Sequence, residues 1–502
     1  MPASPRRNIL LAALTSLASA AVAEAVHLRA GVARIEITDR DHGPVNDPSF
    51  VKALVISDGA TTAAVITVDV VAVGGIGLPD SYLPRVRAAL ARDLGIPPGN
   101  VLVNASHCHS RVRPDTHELT VKAVLEAKAS MVPVRVGSGS GRENRISENR
   151  RLRMKDGSVV DMRRAYPMPP DGEVADVGPI DPEVAILRLD REDRTPLAIL
   201  YTFACHPIMN PPRKGNSADF PFFASRTIED ALGGGATALF VQACGGDINP
   251  VRYKELGSPP DAEPLGTMLG ASVLAAARAV ETAPEAVLTV RSEKLSLPRA
   301  ADYEGRIAAI DRQQSMLVAS LKPTSINFKA FLPLLVAHRL APDFPSHSSQ
   351  GSLHERSLGR AGIQQLDAET RELVDRYLYN VNVMETLTRL NVNRRLLEKH
   401  LEETRAAGSP TIEVEVCGLR VGDFRMVTFP GELLVQTGLD VKAAAQMPHA
   451  VVAGYTNGYI YYLPQADQRA NSGYAQEDCD TLVGPGWQQI FEKRAVAILK
   501  GL

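Results

Sequence analysis

Four short apolar runs in this chain, at 101–103, 197–203, 237–242 and 450–453, each pass directly into a polar segment: SHCH, CHP, CGGDINP and YTNGYIYY. Runs of this apolar, β-branched character read as strands. Between them lie the amphipathic stretch LPRVRAALARDLG and the helix-like DFPFFASRTIEDALGGG, closed by glycines. EVAILRLDREDRTPLAILYTFACHP reads as a hairpin turning at REDR. Strands mixed with helices from residue 30 to about 300 predict an α/β fold, a mixed β-sheet core flanked by helices. In open α/β sheets the strand ends are where ligands gather, so the polar segments are the first place to look for chemistry.

From about 302 to 408 the pattern turns helical, through EGRIAAIDRQQSMLVASL, INFKAFLPLLVAHRL and the long ETRELVDRYLYNVNVMETLTRLNVNRRLLEKHLEETRAAG, with Gly408 as its cap. This reads as a helical insertion in a single domain spanning 24–502, whose strands resume at TIEVEVCGLRVGDFRMVTFPGEL. The most apolar part of the insertion is Phe328, Phe331, Leu332, Leu334, Leu335 and Val336. It suits an acyl-chain pocket or a membrane contact, and equally ordinary helix packing interrupted by Pro333. PDFPSHSSQGSLHER reads as a mobile loop.

The 502 residues are 45% hydrophobic and 22% charged, which excludes disorder and allows one large core or two smaller ones. Lys and Arg number 55 against 57 Asp and Glu, with no long basic run, so no footprint for nucleic acid is present and the expected partner is a small molecule or a lipid. MPASPRRNILLAALTSLASAAVAEA places Arg6 and Arg7 before an apolar stretch and a small-residue pattern at Ala21, Val22 and Ala23. It reads as a signal peptide over 1–23, giving a secreted or periplasmic chain that is soluble or peripheral to a membrane. No later stretch approaches the roughly 20 apolar residues a membrane crossing needs. The five cysteines are too scattered for a disulfide scaffold, and their odd count leaves at least one thiol unpaired.

In NASHCHS, His107 and His109 would point the same way on an extended chain but stand roughly 7 Å apart, so one is the more natural ligand and the other a neighbour. His206 in TFACHP sits at a second strand end, and Glu432 in TFPGELL follows a third through a Pro-Gly turn. Two imidazoles and a carboxylate with an open position make a catalytic zinc set. The residues by themselves therefore favour a metal hydrolase.

The ordered motifs resemble the neutral/alkaline non-lysosomal ceramidase family across most of the chain, from GVARIEIT at residue 31 to the tyrosine-rich segment near 474. NASHCHS is similar to that family's T/N-A-S/T-H-T-H-S, FACHP to F-A-x-H-P, QACGGDINP to Q-x-x-x-G-D-x-S-P, FPGEL to x-P-G-E-x, and AGYTNGYIYY to A-G-x-x-N-x-Y-x-x-Y. The resemblance implies one Zn²⁺ held by His107, His206, Glu432 and a tyrosine, here assigned to Tyr474 in NSGYAQ. It implies hydrolysis of an amide, with an N-acylated sphingoid lipid such as ceramide as the leading substrate. Zinc lowers the pKa of bound water toward about 7 and so supplies the nucleophile. His109 is then suited to pass a proton to the leaving amine, while Tyr462 and Arg150, the latter in SENRRL, would donate to the developing oxyanion. Tyr459 and Tyr461 read as strand packing with bonded hydroxyls. Asp219 in SADFPF suits either orienting a ligand histidine or capping the following helix.

Three departures from the family pattern bear on function. Asn249 in GGDINP stands where the ceramidases carry the serine given as nucleophile, so a covalent serine route is closed and a metal-activated water is left. Asn249 is then a residue that binds substrate or one that caps a turn before Pro250. After the histidines the family's small S-G-P-G-type loop is replaced by Ser110, Arg111, Val112, Arg113, Pro114 and Asp115. With Arg150 and Arg151, these arginines suit a carboxylate or phosphate on the substrate, or else pair with Asp115 or Glu118. The chain ends at Leu502 after helix-like GWQQIFEKRAVAILKGL, so the family's C-terminal immunoglobulin-like domain is expected to be missing. The rival enzyme is a zinc hydrolase of another amide or ester, anionic or sugar-derived. The rival outside catalysis is an exported binding protein that kept the fold, which predicts erosion of a metal quartet that the sequence retains.

Overall fold

The computed structural model describes residues 25–161, 169–209, 215–253, 255, 261–469 and 475–502. The expected signal segment and Tyr474 both lie outside these residues.

One supersecondary unit is used three times. Three strands pair in antiparallel succession, a helix leads to a fourth strand parallel to the third, and a second helix follows. The first unit takes strands Arg29–Glu36, Phe50–Ser57 and Thr62–Val68, helix Tyr82–Leu94, strand Val101–Ala105 and helix Thr116–Ala129. The second takes Val132–Arg142, Glu183–Arg191 and Pro196–Phe203, helix Asp219–Leu232, strand Thr237–Gln242 and helix Glu263–Ala277. The third takes Leu288–Pro298, Thr411–Val421 and Phe424–Thr428, helix Val435–Ala445, strand Ala450–Ala453 and helix Trp487–Gly501. Parallel neighbours need a crossover, and in each unit the first helix supplies it. The expected turn at REDR joins Glu183–Arg191 to Pro196–Phe203, and Gly233 at φ 62° closes the helix Asp219–Leu232.

The first two units join through Arg29–Glu36 and Val132–Arg142 into an eight-stranded sheet, while the third makes a four-stranded sheet of its own. The two sheets face each other. Leu54, Leu102, Leu187 and Leu239 of the large sheet share one core with Leu419, Phe424, Met426 and Val451 of the small one. Helices cover the outer faces: Val101 and Val103 pack with Val86 and Val124, Tyr201 and Phe240 with Phe220 and Leu269, and Val427 and Val452 with Val441 and Phe491. The result is four layers, helix on sheet on sheet on helix. Strands covered on both faces need apolar residues at every position, which explains the unbroken runs in the sequence.

Leu288–Pro298 and Thr411–Val421 are antiparallel neighbours along their whole length, from Leu288 opposite Val421 to Pro298 opposite Thr411. Between them the chain makes four helices: Tyr303–Ala319, Phe328–Leu340, Ser349–Ser357 and the 46-residue Gly362–Ala407, which ends on Gly408 at φ 60°. The stretch expected as a mobile loop is half helical. The Ser348 hydroxyl accepts from the Gly351 amide and starts Ser349–Ser357, so its polar composition marks a helix cap as much as a loop. His400 on the long helix is fully buried, bonds Asp480 at 2.7 Å and meets the Tyr461 ring edge-on at 4.5 Å. All five cysteines are buried and free.

Candidate metal centre

The polar segments at the strand ends converge. His107, His206 and Glu432 bring one ligand atom each to within 4.8 Å of one another, and all three are buried. His206 Nε2 is 3.1 Å and His107 Nε2 3.3 Å from the same oxygen, Glu432 Oε2. Their Nδ1 atoms face backbone carbonyls, His107 toward Val71 at 2.6 Å and His206 toward Ile248 at 3.1 Å. An imidazole that donates from Nδ1 to a carbonyl and stays neutral presents a lone pair at Nε2. Burial and the neighbouring Arg150 charge do push His206 down to about 4. Burial opposes ionisation of Glu432, yet the two histidines outweigh it and hold its carboxyl well below the usual range. Two imidazole nitrogens and a carboxylate oxygen gathered this closely in the interior need positive charge among them, and as donors they fit a divalent ion of zinc type.

Local backbone geometry sets each ligand. Strand Val101–Ala105 stops before the motif, and His107 takes φ 69°, a left-handed conformation that costs a residue with a Cβ free energy. The extended geometry that would have separated His107 from His109 is thus broken, and their ring centroids are 5.7 Å apart. Asn104, buried at the end of its strand, ties the three units together. Its Nδ2 donates to the Gly454 carbonyl at 2.9 Å, and its Oδ1 accepts from the Gln242 amide at 2.8 Å. Asp247 makes a second tie, accepting from the Val435 amide at the start of the third unit's crossover helix. A Cβ on Gly246 would lie 2.8 Å from the Glu432 carbonyl oxygen, so only glycine lets these two loops approach this closely. Glu432 pairs in parallel with Tyr462, and Asn249 pairs with Glu148 beside Arg150.

Of the residues named from the sequence, His109, Tyr462, Arg150 and Asn249 gather around this centre, and Tyr474 lies outside the described residues. His109 flanks His107 at the solvent side. Packing around its ring and the charge of His107 push it down to about 4, which leaves it neutral at physiological pH. The Tyr462 hydroxyl is 3.5 Å from His206 Nε2 and accepts from Arg150 Nη2 at 3.2 Å. Arg150 is buried, donates to Asn249 Oδ1 at 3.3 Å and the Gly246 carbonyl at 2.7 Å, and pairs with buried Glu477. Asp219 sits at φ 62° in the first turn of its helix and accepts from the Phe220 amide at 2.7 Å. Arg113 grips Asp115 in a two-point pair on the exposed surface, and Arg151 pairs in the interior with Glu477 and Asp478.

Tyr459 has the bonded hydroxyl expected of it but does not lie in a strand. Its hydroxyl donates to Glu432 Oε1, opposite the histidines. Tyr455, not singled out in the sequence, is fully buried, donates to Glu432 Oε2 at 3.3 Å and lays its ring 4.4 Å from that of His107. The segment is no strand here: Tyr455, Asn457, Gly458 and Tyr461 all have positive φ, so alternation does not predict which side chains face inward. Asn457 and Gly458 were the available signal, since an Asn-Gly pair marks a turn. Tyr461 does pack as expected, its hydroxyl bonded to Glu403 at 3.0 Å.

The architecture matches the crystal structure of neutral ceramidase from Pseudomonas aeruginosa with a TM-score of 0.58, over 94% of this chain and 74% of that one, at 16% identity. This chain has the neutral ceramidase fold. A second ceramidase structure, complexed with C2, matches over 94% of this chain and 75% of that one, with a TM-score of 0.58 and 17% identity. No family model matches the chain, and no curated protein does. Within the ceramidase fold, the centre lies where strand ends of all three units meet.

Proposed function

We propose that this protein is a metal-dependent amidohydrolase acting on an N-acylated lipid of ceramide type. The observation that carries the reading is the buried convergence of His107, His206 and Glu432 in a fold shared with neutral ceramidase. Zinc bound there would activate a water and polarise the amide carbonyl. The other roles belong to side chains. Arg150, fixed by Asn249, the Gly246 carbonyl and Glu477, offers a positioned cation to the oxygen that gains charge. Tyr462 is near enough to His206 Nε2 to complete the donor set, the role the family resemblance gives to Tyr474. Neutral His109 takes a proton and returns it to the leaving amine. Tyr459 and Tyr455 hold the Glu432 carboxylate in place. Asn249 acts through Arg150, with no acyl-enzyme formed on it.

The deciding experiment measures metal content and fatty-acid release from N-acyl sphingosine by the purified protein. Release that a chelator abolishes and zinc restores supports the proposal, and absence of both metal and release overturns it. A soluble polar amide is the second reading, favoured by a cavity of about 550 Å³ lined by Asn149, Arg151, Gln436, Gln465 and Gln468. Turnover confined to such substrates would select it. Export through the N-terminal signal is part of the proposal, and the first residue of the protein recovered from the producing cells tests it.

A further inference from the structure

We propose that helix Phe328–Leu340 of the insertion docks on an anionic lipid surface. The helix is held to the body of the insertion by Phe331, whose ring stacks on Tyr377 at 4.4 Å. Away from that contact, Phe328, Leu332, Val336 and Leu340 recur at every fourth position and are 63%, 48%, 48% and 81% exposed. At helical pitch these four form one continuous apolar stripe. A stripe of this kind on the outside of a protein marks a surface that meets something else.

Charge identifies the partner. The thirteen residues of the helix, FKAFLPLLVAHRL, include Lys329 and Arg339 and no Asp or Glu. Over 321–360 the insertion carries five Lys and Arg against two Asp and Glu, although the whole chain is nearly balanced. On the helical projection Lys329 and Arg339 fall within the arc of the apolar stripe. That interleaving suits an interface in which apolar tips enter the acyl region while the long basic side chains reach back to phosphate. An anionic leaflet attracts such a segment, with no acid on the helix to repel it. A helix of this length spans about 20 Å, short of the roughly 30 Å hydrocarbon core, so it lies in the surface plane. Among the described residues no helix is long and apolar enough to cross a membrane. The inference is independent of what the metal centre hydrolyses.

The test is co-sedimentation of the purified, full-length mature protein with vesicles of phosphatidylcholine alone or mixed with phosphatidylglycerol. Binding is expected to the mixed vesicles, about tenfold above the neutral ones and weakened by added salt. The double variant Leu332→Asp, Leu340→Asp is expected to lose that binding, and Lys329→Glu, Arg339→Glu the preference for anionic lipid. Ile490→Asp, at an exposed apolar residue on the third unit, should bind as wild type. Failure to bind either vesicle overturns the proposal, as does binding that survives the double Asp variant. A concentration-dependent dimer that the same variant abolishes, without vesicle binding, assigns the face to a second copy and also overturns it. Hydrolysis of detergent-dispersed N-acyl sphingosine should be unchanged in all these variants, so the vesicle result and the catalytic result stand or fall separately.

Discussion

His206 Nε2 and Glu432 Oε2 stand 3.1 Å apart, although 226 positions of chain separate them. Neither belongs to a local motif that holds the other. Their meeting is the work of two β-sheets whose strand ends are tied by Asn104 and Asp247, and it gathers a donor set that could hold a cation.

Metal content is the first consequence. His206→Ala and Glu432→Gln should each reduce bound zinc from about one equivalent per chain to trace levels, as measured by elemental mass spectrometry. Retention of full metal by both variants would remove the centre from this site.

The tyrosines separate two kinds of support. Tyr462→Phe, beside both His206 and Arg150, should lower kcat by about 10²–10³-fold and weaken the metal as well. Tyr459→Phe touches only the carboxylate among the ligands, so its main effect should be a metal affinity reduced by about 10–100-fold. Zinc titration alongside steady-state kinetics distinguishes them.

Asn104→Ala would leave the Gly454 carbonyl and the Gln242 amide without their side-chain partner in the interior. The expected cost is about 2–4 kcal/mol, read as a lower urea midpoint, and an equal midpoint would refute the clamp.

Asp47 gives the pH dependence. Burial raises its pKa from 3.8 to about 7, against the lowering effect of its bonds from Ser217 and the Ala218 amide. Between these values the folded state holds a proton that the unfolded state has released. Stability from this group is therefore present below about pH 4 and is lost as pH rises through about 7. Asp47→Asn should stabilise the protein relative to wild type at pH 8, by on the order of 1–4 kcal/mol, with the gap closing toward pH 4. A constant difference across that range in thermal melts would contradict it.

Much of this was legible in the chain because burial on both faces leaves a plain mark, and strands such as Val101–Ala105 and Thr237–Gln242 fall where their apolar runs lie. The helical run was equally plain from its periodicity. The threefold unit was hidden, since excursions of very different length interrupt it, above all the helices between Pro298 and Thr411, and its repeats share topology rather than side chains. At the site, His107, His206 and Glu432 stood out because each follows a strand, whereas Tyr459 and Tyr455 reach Glu432 from a loop of positive φ where no period applies. Arg113 follows the second of its two sequence readings for a local reason, a carboxylate two residues away that satisfies it at the surface.

The threefold construction also bears on biosynthesis. The first unit brings His107, the second His206 and the third Glu432, so a nascent chain, or a fragment cut between units, holds an incomplete set of ligands. A centre assembled in this way stays incomplete while the chain is being made. Its three donors come together only once the last third has folded against the rest, which puts the proposed activity after synthesis and not during it.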